Sequence, residues 1–473
     1  MKLGELLKGL AWVNSELAWK EVRGITDNSK KVAPGFLFFA IKGFRVDGNA
    51  YVREALQRGA LAVITDCKKT AEKFKTHNVI RVKDARKALS ATAAKFYGNP
   101  HKALKLIGIT GTNGKTTTTF ILYHVLNQLG TLTGIIGTVK KGIPGREKSS
   151  VRTTPSPLDF FKTLKEMKET GTENVVLEVS SHGLELYRTY PAEFEFSCFT
   201  NLSAEHLDFH QNMENYMTAK EKLFFQTKNT VLINTDDKYG KLLYGLRRAF
   251  PCKTLSYGRR GDFSFEFKQD KRGLIVCING EIVETNLKGA FNAYNVAAAY
   301  SILKCMGYSY ADLKNSFRNI YVPGRLEEVA PNVFVDYAHT PDALEKVLKA
   351  LRELKPSKII TVFGCGGDRD REKRPLMGKI AEKLSDVIVI TSDNPRSEEP
   401  EKIIEEILKG IERKENTKVI PDRKEAITEA LKIKKSNDIV LIAGKGHENY
   451  QIIGNEIIPF SDSEVVREFY ESI

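Results

Sequence analysis

Three long apolar segments in the last third of the chain constrain its fold most. They read KIITVFG, DVIVITS and DIVLIAG, and each runs directly into a glycine-containing or charged loop. Continuous runs of Val, Ile and Leu between helical segments are typical of strands in a parallel sheet that is covered on both faces. These segments therefore predict an α/β domain in this part of the chain.

The domain organisation follows from the length and from the places where the pattern changes. With 473 residues, the chain is too long for one ordinary hydrophobic core. The stretch KFYGNPHKAL has the composition of a connector, and a second alternation of strands and helices begins after it with LKLIGIT. The turn-rich YVPGRL precedes the third region. We predict an α/β protein of three domains, which span 1–98, 99–321 and 322–473.

The composition is that of a globular protein and argues against several other classes. The hydrophobic fraction of 41% is sufficient for buried sheets, and no apolar run is long enough to cross a membrane. Acidic residues among the apolar positions of the N-terminal segment argue against a secretory signal and predict a cytoplasmic location. The six cysteines lack paired C-x-x-C spacing, so neither a disulfide framework nor a thiolate zinc site is indicated.

The net charge of +14 admits two interpretations. A basic chain can bind nucleic acid, but these lysines are spread along the whole sequence and are interleaved with Glu and Asp. We therefore expect anionic small-molecule substrates and no nucleic-acid partner. An ATP-dependent nucleic-acid-binding protein is the alternative.

The strongest local chemical signal is a glycine-rich loop, TGTNGKTT, between an apolar strand and a helix. Such a loop presents backbone N–H groups and a helix N-terminus, both of which favour a bound phosphate. Lys115 is predicted to contact the β- and γ-phosphates of ATP, and the Thr116 hydroxyl to help hold Mg²⁺. The predicted ATP-binding residues of the loop are Gly111, Thr112, Asn113, Gly114, Lys115, Thr116 and Thr117.

The loops after the three apolar segments predict a second site. Right-handed crossovers gather such loops at the carboxyl edge of a parallel sheet, which is where ligands bind. These loops carry both cationic and anionic side chains, so a zwitterionic ligand is expected; solvated loops without a ligand are the alternative. The side chains and glycine concerned are Arg369, Asp393, Asn394, Arg396, Gly444 and Glu448.

The loop TGTNGKTTT resembles that of the Mur ligase family, which also includes the folylpolyglutamate synthetases. Further segments along nearly the whole chain resemble its muramoyl-tripeptide-forming branch: LEVSSHGLELYR, FTNLSAEHLDFHQNMENYMTAKEKLF, GAFNAYNVAAA, VPGRLEEV, VDYAHTPDALE, FGCGGDRDREKRP and AGKGHE. The resemblance implies a UDP-substrate domain, a central P-loop ATPase-type parallel-sheet domain and a C-terminal Rossmann-like domain that binds an amino acid.

The resemblance also implies a reaction. It is the ATP-dependent ligation of a carbon–nitrogen bond in peptidoglycan biosynthesis, with UDP-N-acetylmuramoyl dipeptide and meso-2,6-diaminopimelate as the expected substrates. ATP phosphorylates the terminal carboxylate of the dipeptide, and the incoming amine attacks the acyl phosphate. Because two anions must approach each other, Mg²⁺ and cationic side chains are expected to neutralise the developing charge. A monomer is the expected assembly.

The family pattern implies roles for residues in the middle of the chain. Glu178 and His206 are implied as Mg²⁺ ligands, and Lys220 as a lysine that CO₂ carboxylates on nitrogen. That modification would turn a cation into a carboxylate able to support a second metal ion. The predicted metal ligands are Thr116, Glu178, His206 and Lys220, and the predicted catalytic residues are Lys115, Glu178, His206 and Lys220.

Contacts to the two nucleotides and to the muramoyl peptide are implied in the same way. For ATP, the pattern implies that Asn292 and Asn295 bind the adenine end. It implies that Arg325 contacts a phosphate and Asp336 the ribose. The residues implied for the UDP-linked substrate are Ser29, Phe44, Arg45, Val46, Thr153, Thr154, Ser180 and Arg188.

The segment DNPR resembles the diaminopimelate-type signature of the family. Diaminopimelate carries a second carboxylate that lysine lacks, and the planar fork of an arginine binds a carboxylate bidentately. Arg396 is therefore predicted to select diaminopimelate, and Glu448 to bind its distal ammonium. A lysine-adding ligase is one alternative, and a surface turn in which Arg396 pairs with Glu398 or Glu399 is another. The predicted amino-acid-binding residues are Arg369, Asp393, Asn394, Pro395, Arg396, Gly444 and Glu448.

Overall fold

A computed structural model describes residues 1–44, 46–75 and 77–472 of the chain. Two compact units divide it: Met1–Asp262 with Ser301–Met306, and Phe263–Tyr300 with Gly307–Ile473. Parallel sheets flanked by helices occur in both units, which confirms the predicted α/β class. The predicted domain boundaries at 1–98, 99–321 and 322–473 stay a prediction. Across the described ranges, no helix is both long and apolar enough to span a membrane.

The first unit contains a small sheet and a larger one. The small sheet is parallel, in the order β1-β2-β3-β4. The strands of the larger sheet that belong to this unit follow the order β12-β11-β10-β5-β9-β6-β7-β8. These twelve strands are β1 Gly24–Thr26, β2 Phe36–Phe39, β3 Ala62–Thr65, β4 Val79–Arg81, β5 Lys105–Thr110, β6 Thr133–Ile136, β7 Lys140–Gly142, β8 Lys148–Ser149, β9 Asn174–Glu178, β10 Phe194–Phe199, β11 Thr227–Asn234 and β12 Lys253–Gly258.

The second unit begins with three antiparallel strands and continues into a six-stranded sheet. The order of that sheet is β16-β17-β21-β18-β19-β20, parallel except for β16, and a hairpin of β22 and β23 follows it. The strands are β13 Phe263–Gln269, β14 Leu274–Ile278, β15 Glu281–Thr285, β16 Glu327–Ala330, β17 Val333–Asp336, β18 Ile359–Phe363, β19 Val387–Ile390, β20 Thr417–Val419, β21 Ile439–Ala443, β22 Tyr450–Ile453 and β23 Glu456–Pro459.

The helices lie mostly between the strands, as crossovers between parallel strands require. They are α1 Leu3–Leu7, α2 Ser15–Ala18, α3 Val52–Gln57, α4 Lys68–Lys73, α5 Ala85–Phe96, α6 Lys115–Gln128, α7 Pro157–Glu169, α8 Ser181–Glu185, α9 Leu207–His210, α10 Met213–Phe225, α11 Lys238–Gly245, α12 Ala290–Cys305, α13 Tyr310–Leu313, α14 Pro341–Arg352, α15 Lys373–Leu384, α16 Pro400–Leu408, α17 Arg423–Ile433 and α18 Asp462–Glu471.

The central strands β17, β21, β18 and β19 of the six-stranded sheet are buried on both faces because they are apolar at nearly every position. Successive side chains of a strand point to opposite faces. In β18, Ile359 and Phe363 pack in one core with α14, α15 and α16, whereas Ile360 and Val362 pack in a second core with α17 and α18. The continuous apolar runs in the sequence are therefore explained by two cores that share one sheet.

Helix α14 shows how local sequence produces one of these covering helices. Thr340 precedes it, and its side chain accepts a hydrogen bond from the Ala343 N–H, while Pro341 occupies a first-turn position that needs no donor. Leu344, Leu348 and Leu351 recur at helical spacing and are fully buried. Burying a leucine side chain stabilises the fold by about 1.5–3 kcal/mol, so this stripe holds α14 against the sheet.

Candidate functional site

The glycine-rich loop follows β5 and ends at the N-terminus of α6. Gly111 and Gly114 have φ angles of +145° and +87°, which residues with a Cβ rarely adopt. A Cβ on Gly111 would lie 1.9 Å from Thr200 Oγ1, so the loop packs too closely for any larger residue. Lys115 Nζ donates to the carbonyl oxygens of Gly111, at 2.9 Å, and Thr112, at 2.8 Å. The loop thus has the conformation and the ammonium group of a phosphate site.

Glu178, the last residue of β9, lies beside this loop and is fully buried. Its carboxylate accepts hydrogen bonds from Thr116 Oγ1 at 2.9 Å, from the Thr138 N–H at 2.7 Å and from Thr138 Oγ1 at 2.9 Å. A Cβ on Gly137 would lie 2.3 Å from Glu178 Oε1, so the Gly137-Thr138 turn after β6 closely surrounds the carboxylate. The structure therefore brings together Thr116 and Glu178, two of the predicted metal ligands.

This pair fits a magnesium ion chemically. Carboxylate and hydroxyl oxygens are the hard ligands that Mg²⁺ prefers, and the ion needs only one or two carboxylates when phosphates supply further oxygens. No cluster of three or more His, Cys, Asp or Glu side chains arranged to hold a metal occurs among the described residues. The assignment of Mg²⁺ to these residues stays a prediction.

Lys220 on α10 is nearly fully buried, with 1% of its surface exposed. Its Nζ donates to the Gly111 carbonyl oxygen at 2.7 Å, the same oxygen that accepts from Lys115, and lies 4.6 Å from the centre of the Tyr216 ring. Burial, and after it the charge of Lys115, holds the pKa of Lys220 well below its usual range, against the opposing effect of Glu205. An uncharged amine is a nucleophile, which fits the predicted reaction of Lys220 with CO₂.

His206 belongs to a group of aromatic rings around α9. Its ring centre lies 4.8 Å from that of His182, which in turn lies 5.5 Å from that of His210. His210 Nε2 is 2.9 Å from Ser181 Oγ, and Glu205 Oε1 is 3.8 Å from His206 Nε2. His206 has an exposed ring and a left-handed backbone with φ of +57°.

Residues predicted to hold the muramoyl peptide form a network beside Glu178. Thr154 Oγ1 lies 3.1 Å from Ser180 Oγ and accepts a hydrogen bond from the Ser180 N–H at 2.9 Å. Arg188 Nη1 donates to the Thr154 carbonyl oxygen at 2.9 Å, and Thr153 Oγ1 is 3.1 Å from Thr138 Oγ1. All four predicted residues are thus brought together at the carboxyl ends of β6 and β9.

The residues predicted for uridine are less closely grouped. Ser29 is buried, and its hydroxyl donates to Glu54 Oε2 at 3.2 Å. Phe44 and Val46 are 73% and 55% exposed. Arg45, also predicted here, lies outside the described residues.

Two of the residues predicted for ATP lie on α12 in the second compact unit. Asn292 and Asn295 are both buried, and Asn295 Nδ2 donates to Asn292 Oδ1 at 2.9 Å. Asn292 Nδ2 donates to the Lys288 carbonyl oxygen at 2.7 Å. The glycine-rich loop belongs to the first unit.

Arg325 and Asp336 lie close to each other in the second unit. Asp336 ends β17, and its Oδ2 accepts a hydrogen bond from the Leu326 N–H at 2.6 Å. Burial raises the pKa of Asp336 to about 6, although Arg325 and that N–H both act to lower it. The Arg325 guanidinium lies 4.5 Å from the centre of the Tyr337 ring.

The predicted amino-acid residues meet at the carboxyl edge of the six-stranded sheet, as the strand pattern predicts. Asn394 follows β19, Glu448 follows β21, and Asn394 Nδ2 donates to Glu448 Oε2 at 3.0 Å. A Cβ on Gly444 would lie 2.6 Å from Asp393 Oδ2, so this glycine leaves room for the aspartate. These residues are far apart in the sequence, but the strand order β21-β18-β19 brings the ends of their strands close together.

Arg396 has a constrained backbone and a partly free side chain. Its φ is +53°, and its N–H donates to the Ile452 carbonyl oxygen on β22 at 3.1 Å. Nη1 donates to the carbonyl oxygens of Gly367, at 2.7 Å, and Asn394, at 3.4 Å. Within the described part of the chain, Nε and Nη2 form no hydrogen bond and the side chain forms no ion pair. One edge of the guanidinium is thus available to a ligand.

The carboxylates proposed as alternative partners of Arg396 are engaged elsewhere. Glu398 accepts hydrogen bonds from both terminal nitrogens of the buried Arg374, at 2.9 Å each, and Glu399 pairs with Lys402 at 2.9 Å. Arg369 is exposed, and its Nη1 donates to the Asp368 carbonyl oxygen at 3.1 Å. The Pro395 carbonyl oxygen would lie 1.8 Å from a Cβ on Gly367, which shows how tightly the two loops pack.

Comparison with known proteins shows which family has this arrangement. Three family descriptions match: "Mur ligase family, catalytic domain" over residues 21–97, "Mur ligase middle domain" over 109–303 and "Mur ligase, glutamate ligase domain" over 324–446. UDP-N-acetylmuramoyl-L-alanyl-D-glutamate–2,6-diaminopimelate ligase of Aquifex aeolicus (strain VF5) is 48% identical over 458 residues, or 95% of this chain and 94% of that protein. The chain belongs to the Mur ligase family. The predicted family membership is confirmed.

Other Mur ligases are similar over comparable lengths. The protein of the same name from Clostridium botulinum (strain ATCC 19397 / Type A) is 40% identical over 496 residues, covering 100% of both chains. A solved structure with that ligase name aligns with a TM-score of 0.73 at 31% identity, over 100% of this chain and 99% of the other. A MurF ligase from Thermotoga maritima in complex with ADP, 22% identical, aligns with a TM-score of 0.60 over 96% and 97% of the two chains and shows the fold alone.

Four polar residues of this Mur ligase lie at the site but are not among the residues predicted from the sequence. Thr138 contacts Glu178, His182 lies beside His206, and Lys445 contacts Glu448, whereas His210 contacts Ser181, the neighbour of the predicted Ser180. The segments SSHGL, EHLDFH and AGKGHE do contain three of them, so a polar residue beside a predicted site residue was the available signal.

Proposed function

We propose that this Mur ligase joins meso-2,6-diaminopimelate to UDP-N-acetylmuramoyl-L-alanyl-D-glutamate in an ATP-dependent reaction of peptidoglycan biosynthesis. Relatives with that activity in their names are 40–48% identical over at least 95% of this chain. The observation that carries the choice of amino acid is the free guanidinium edge of Arg396 at the same strand ends as the Glu448 carboxylate. A cation and an anion so placed match the carboxylate and the ammonium at the distal end of diaminopimelate.

The glycine-rich loop is proposed to bind the phosphates of ATP. Its backbone N–H groups and the N-terminus of α6 supply partial positive charge, and Lys115 adds a full charge. The hydrogen bonds of Lys115 to two carbonyl oxygens of its own loop hold the ammonium where phosphate oxygens would bind. When bound through Thr116 and Glu178, Mg²⁺ would neutralise phosphate oxygens.

The reaction forms one amide bond and splits ATP into ADP and phosphate. The terminal carboxylate of the dipeptide attacks the γ-phosphorus, a new O–P bond forms, and the bond to ADP breaks. The amine of diaminopimelate then attacks the carbonyl carbon, and the C–O bond to phosphate breaks as the amine loses a proton. Lys115 is proposed to stabilise the anionic oxygens that both steps require.

The remaining contacts are proposals that rest on the family pattern. Thr153, Thr154, Ser180 and Arg188 are proposed for the muramoyl peptide, because they form one network beside Glu178. Ser29, Phe44 and Val46 are proposed for uridine, and Asn292, Asn295, Arg325 and Asp336 for the nucleoside and phosphates of ATP. A cytoplasmic location and a monomeric state stay predictions.

Phosphate release tests the proposed function. The chain is supplied with ATP, Mg²⁺ and UDP-N-acetylmuramoyl-L-alanyl-D-glutamate, and diaminopimelate, lysine and other amino acids are added in turn. Release that depends on diaminopimelate, with a product of the expected mass, is the result we expect. Release with lysine instead would establish the lysine-adding alternative, and release that responds to DNA but to no amino acid would contradict the proposal.

Arg396→Ala tests the basis of amino-acid selection. The substitution removes a bidentate partner of the distal carboxylate, so the preference for diaminopimelate over lysine, as a ratio of kcat/KM values, should fall tenfold or more. Arg413→Ala is the control, because Arg413 lies on the surface where β20 begins, away from the strand ends that carry the pocket. An unchanged ratio in the Arg396 variant would contradict the assignment.

A further inference from the structure

Lys445 lies directly after Gly444 at the carboxyl end of β21, and none of its surface is exposed. Lysine is among the residue types least often fully buried, and a buried ammonium needs partners that replace its hydration. A lysine in this position therefore has to be explained by its contacts. The predicted amino-acid residues of the sequence do not include it.

The ammonium of Lys445 binds two residues of the proposed amino-acid pocket. Nζ lies 3.1 Å from Asn394 Oδ1 and 3.2 Å from Glu448 Oε2. Because an ammonium only donates, it fixes the Asn394 amide with its oxygen towards Lys445. The Ile452 N–H donates to the same amide oxygen at 2.9 Å, which leaves the Asn394 amide nitrogen to donate to Glu448 Oε2 at 3.0 Å.

The two oxygens of Glu448 are consequently not equivalent. Oε2 accepts from both Lys445 and Asn394, whereas Oε1 has only the Tyr337 hydroxyl, at a long 3.4 Å. The Glu448 carboxylate makes no other hydrogen bond or ion pair within the described residues, and the side chain is 17% exposed. Oε1 is the oxygen left for a ligand.

The same contacts explain why Glu448 and Arg396 do not neutralise each other. The charge of Glu448 is satisfied from the buried side by Lys445, and Arg396 binds backbone carbonyl oxygens. Arg396 and Glu448 can then bind the carboxylate and the ammonium at the distal end of diaminopimelate.

We propose that Lys445 is a positioning residue that sets the specificity for the distal ammonium of diaminopimelate. It holds Oε2 of Glu448, directly and through Asn394, and so presents Oε1 to the ammonium without touching the substrate itself. This inference rests on the proposed function and adds to it the residue that prepares Glu448. A substrate that lacks the distal ammonium gains nothing from this arrangement.

The test compares diaminopimelate with 2-aminopimelate, which keeps the reacting amine and the distal carboxylate but lacks the distal amine. In Lys445→Met, the kcat/KM for diaminopimelate should fall at least tenfold, through a higher KM, while that for 2-aminopimelate changes less than twofold. The KM for ATP should stay unchanged. Lys445→Gln, which keeps a donor but no charge, serves if the Met variant does not fold, and the same split is expected.

Glu448→Gln and the double variant complete the design. If Lys445 acts through Glu448, the double variant should lose no more than Glu448→Gln alone, so the two losses are not additive. Lys445→Arg should retain at least part of the preference for diaminopimelate over 2-aminopimelate, because arginine also supplies a cation.

Two results would overturn the inference. Equal losses with diaminopimelate and 2-aminopimelate would assign Lys445 a purely structural role, and an unchanged KM for diaminopimelate would remove its role in binding. A wild-type chain that is inactive with diaminopimelate would overturn the proposed function as well, so the two failures are distinguishable.

Discussion

Buried basic side chains divide into two kinds at the level of single residues. Three of them pair with carboxylates: Lys445 with Glu448, Arg374 with Glu398 and Glu406, and Arg423 with Asp462. Lys220 forms no ion pair in the described part of the chain, and its partners are a carbonyl oxygen and an aromatic ring. A buried ammonium without a counter-ion favours the uncharged amine, which is why the pKa of Lys220 is held well below its usual range.

Lys220 is therefore expected to react with CO₂. Its uncharged Nζ attacks the carbon, a C–N bond forms and a proton is released to solvent, which leaves a carbamate. Bicarbonate labelled with ¹³C should give a carbamate signal in the NMR spectrum of the wild-type chain. Lys220→Arg, whose guanidinium stays protonated, should give none. A spectrum without this signal at neutral pH in the folded wild-type chain would contradict the prediction.

Two helices of the second unit are joined by an ion pair that supports the amino-acid loops. Arg423 is the first residue of α17 and Asp462 the first of α18, and their bidentate pair at 2.8 Å is fully buried. Arg423 Nη2 also donates to the Ala443 carbonyl oxygen at 3.0 Å, and Nη1 to that of Ser392 at 3.3 Å. The guanidinium thus connects the ends of the loops that carry the pocket to the helices behind them.

Removal of Asp462 should destabilise the chain strongly. Asp462→Ala leaves the Arg423 cation buried without its counter-ion, and breaking a buried pair in this way costs about 3–5 kcal/mol. Denaturant unfolding monitored by circular dichroism measures the free energy of unfolding. The matched control is Glu468→Ala, because the Lys424–Glu468 pair at 2.8 Å joins the same two helices at the surface.

The control should lose less than about 1 kcal/mol, since exposed ion pairs contribute little. Similar losses in both variants would show that burial of the Arg423–Asp462 pair does not determine its contribution.

The stability of the whole molecule against acid is expected to depend on buried histidines. His101 is 7% exposed, and its ring centre lies 5.5 Å from that of Phe161. Its Nδ1 has no hydrogen-bond partner among the described residues. Burial, and after it the charge of Lys102, lowers the pKa of His101 to about 4. The fold therefore favours the neutral imidazole, and protonation opposes it.

This depressed pKa predicts a loss of stability in acid. The stabilisation is fully present above pH 6.5, the ordinary value, and is lost as the pH falls through about 4. At 1.36 kcal/mol per pKa unit, it amounts to at most about 3 kcal/mol. His101→Phe removes the titrating group, so the free energy of unfolding should fall less between pH 7 and pH 4 than in the wild type. His77→Phe, at an exposed position, should keep the wild-type slope, and equal slopes in all three chains would contradict the prediction.

The sequence alone determined the fold class and predicted where the site residues lie. Apolar runs that end in glycine or charge specify buried parallel strands whose loops meet at one edge, because crossovers are right-handed. TGTNGKTT specifies a phosphate loop through its two glycines of positive φ and the helix that follows. For these features the determining interactions are local, so roles for residues such as Gly114, Lys115 and Arg396 could be predicted without coordinates.

The tertiary structure decided which groups contact one another. Thr138 binds a carboxylate 40 positions away, Lys445 an amide 51 positions away and Arg423 a carboxylate 39 positions away. Such contacts depend on strand order and on the packing of helices over the sheet, which the periodicity of any one segment does not encode. The site residues were therefore predicted from the sequence, whereas the groups that contact them, such as Thr138 and Lys445, were identified only in the packed structure.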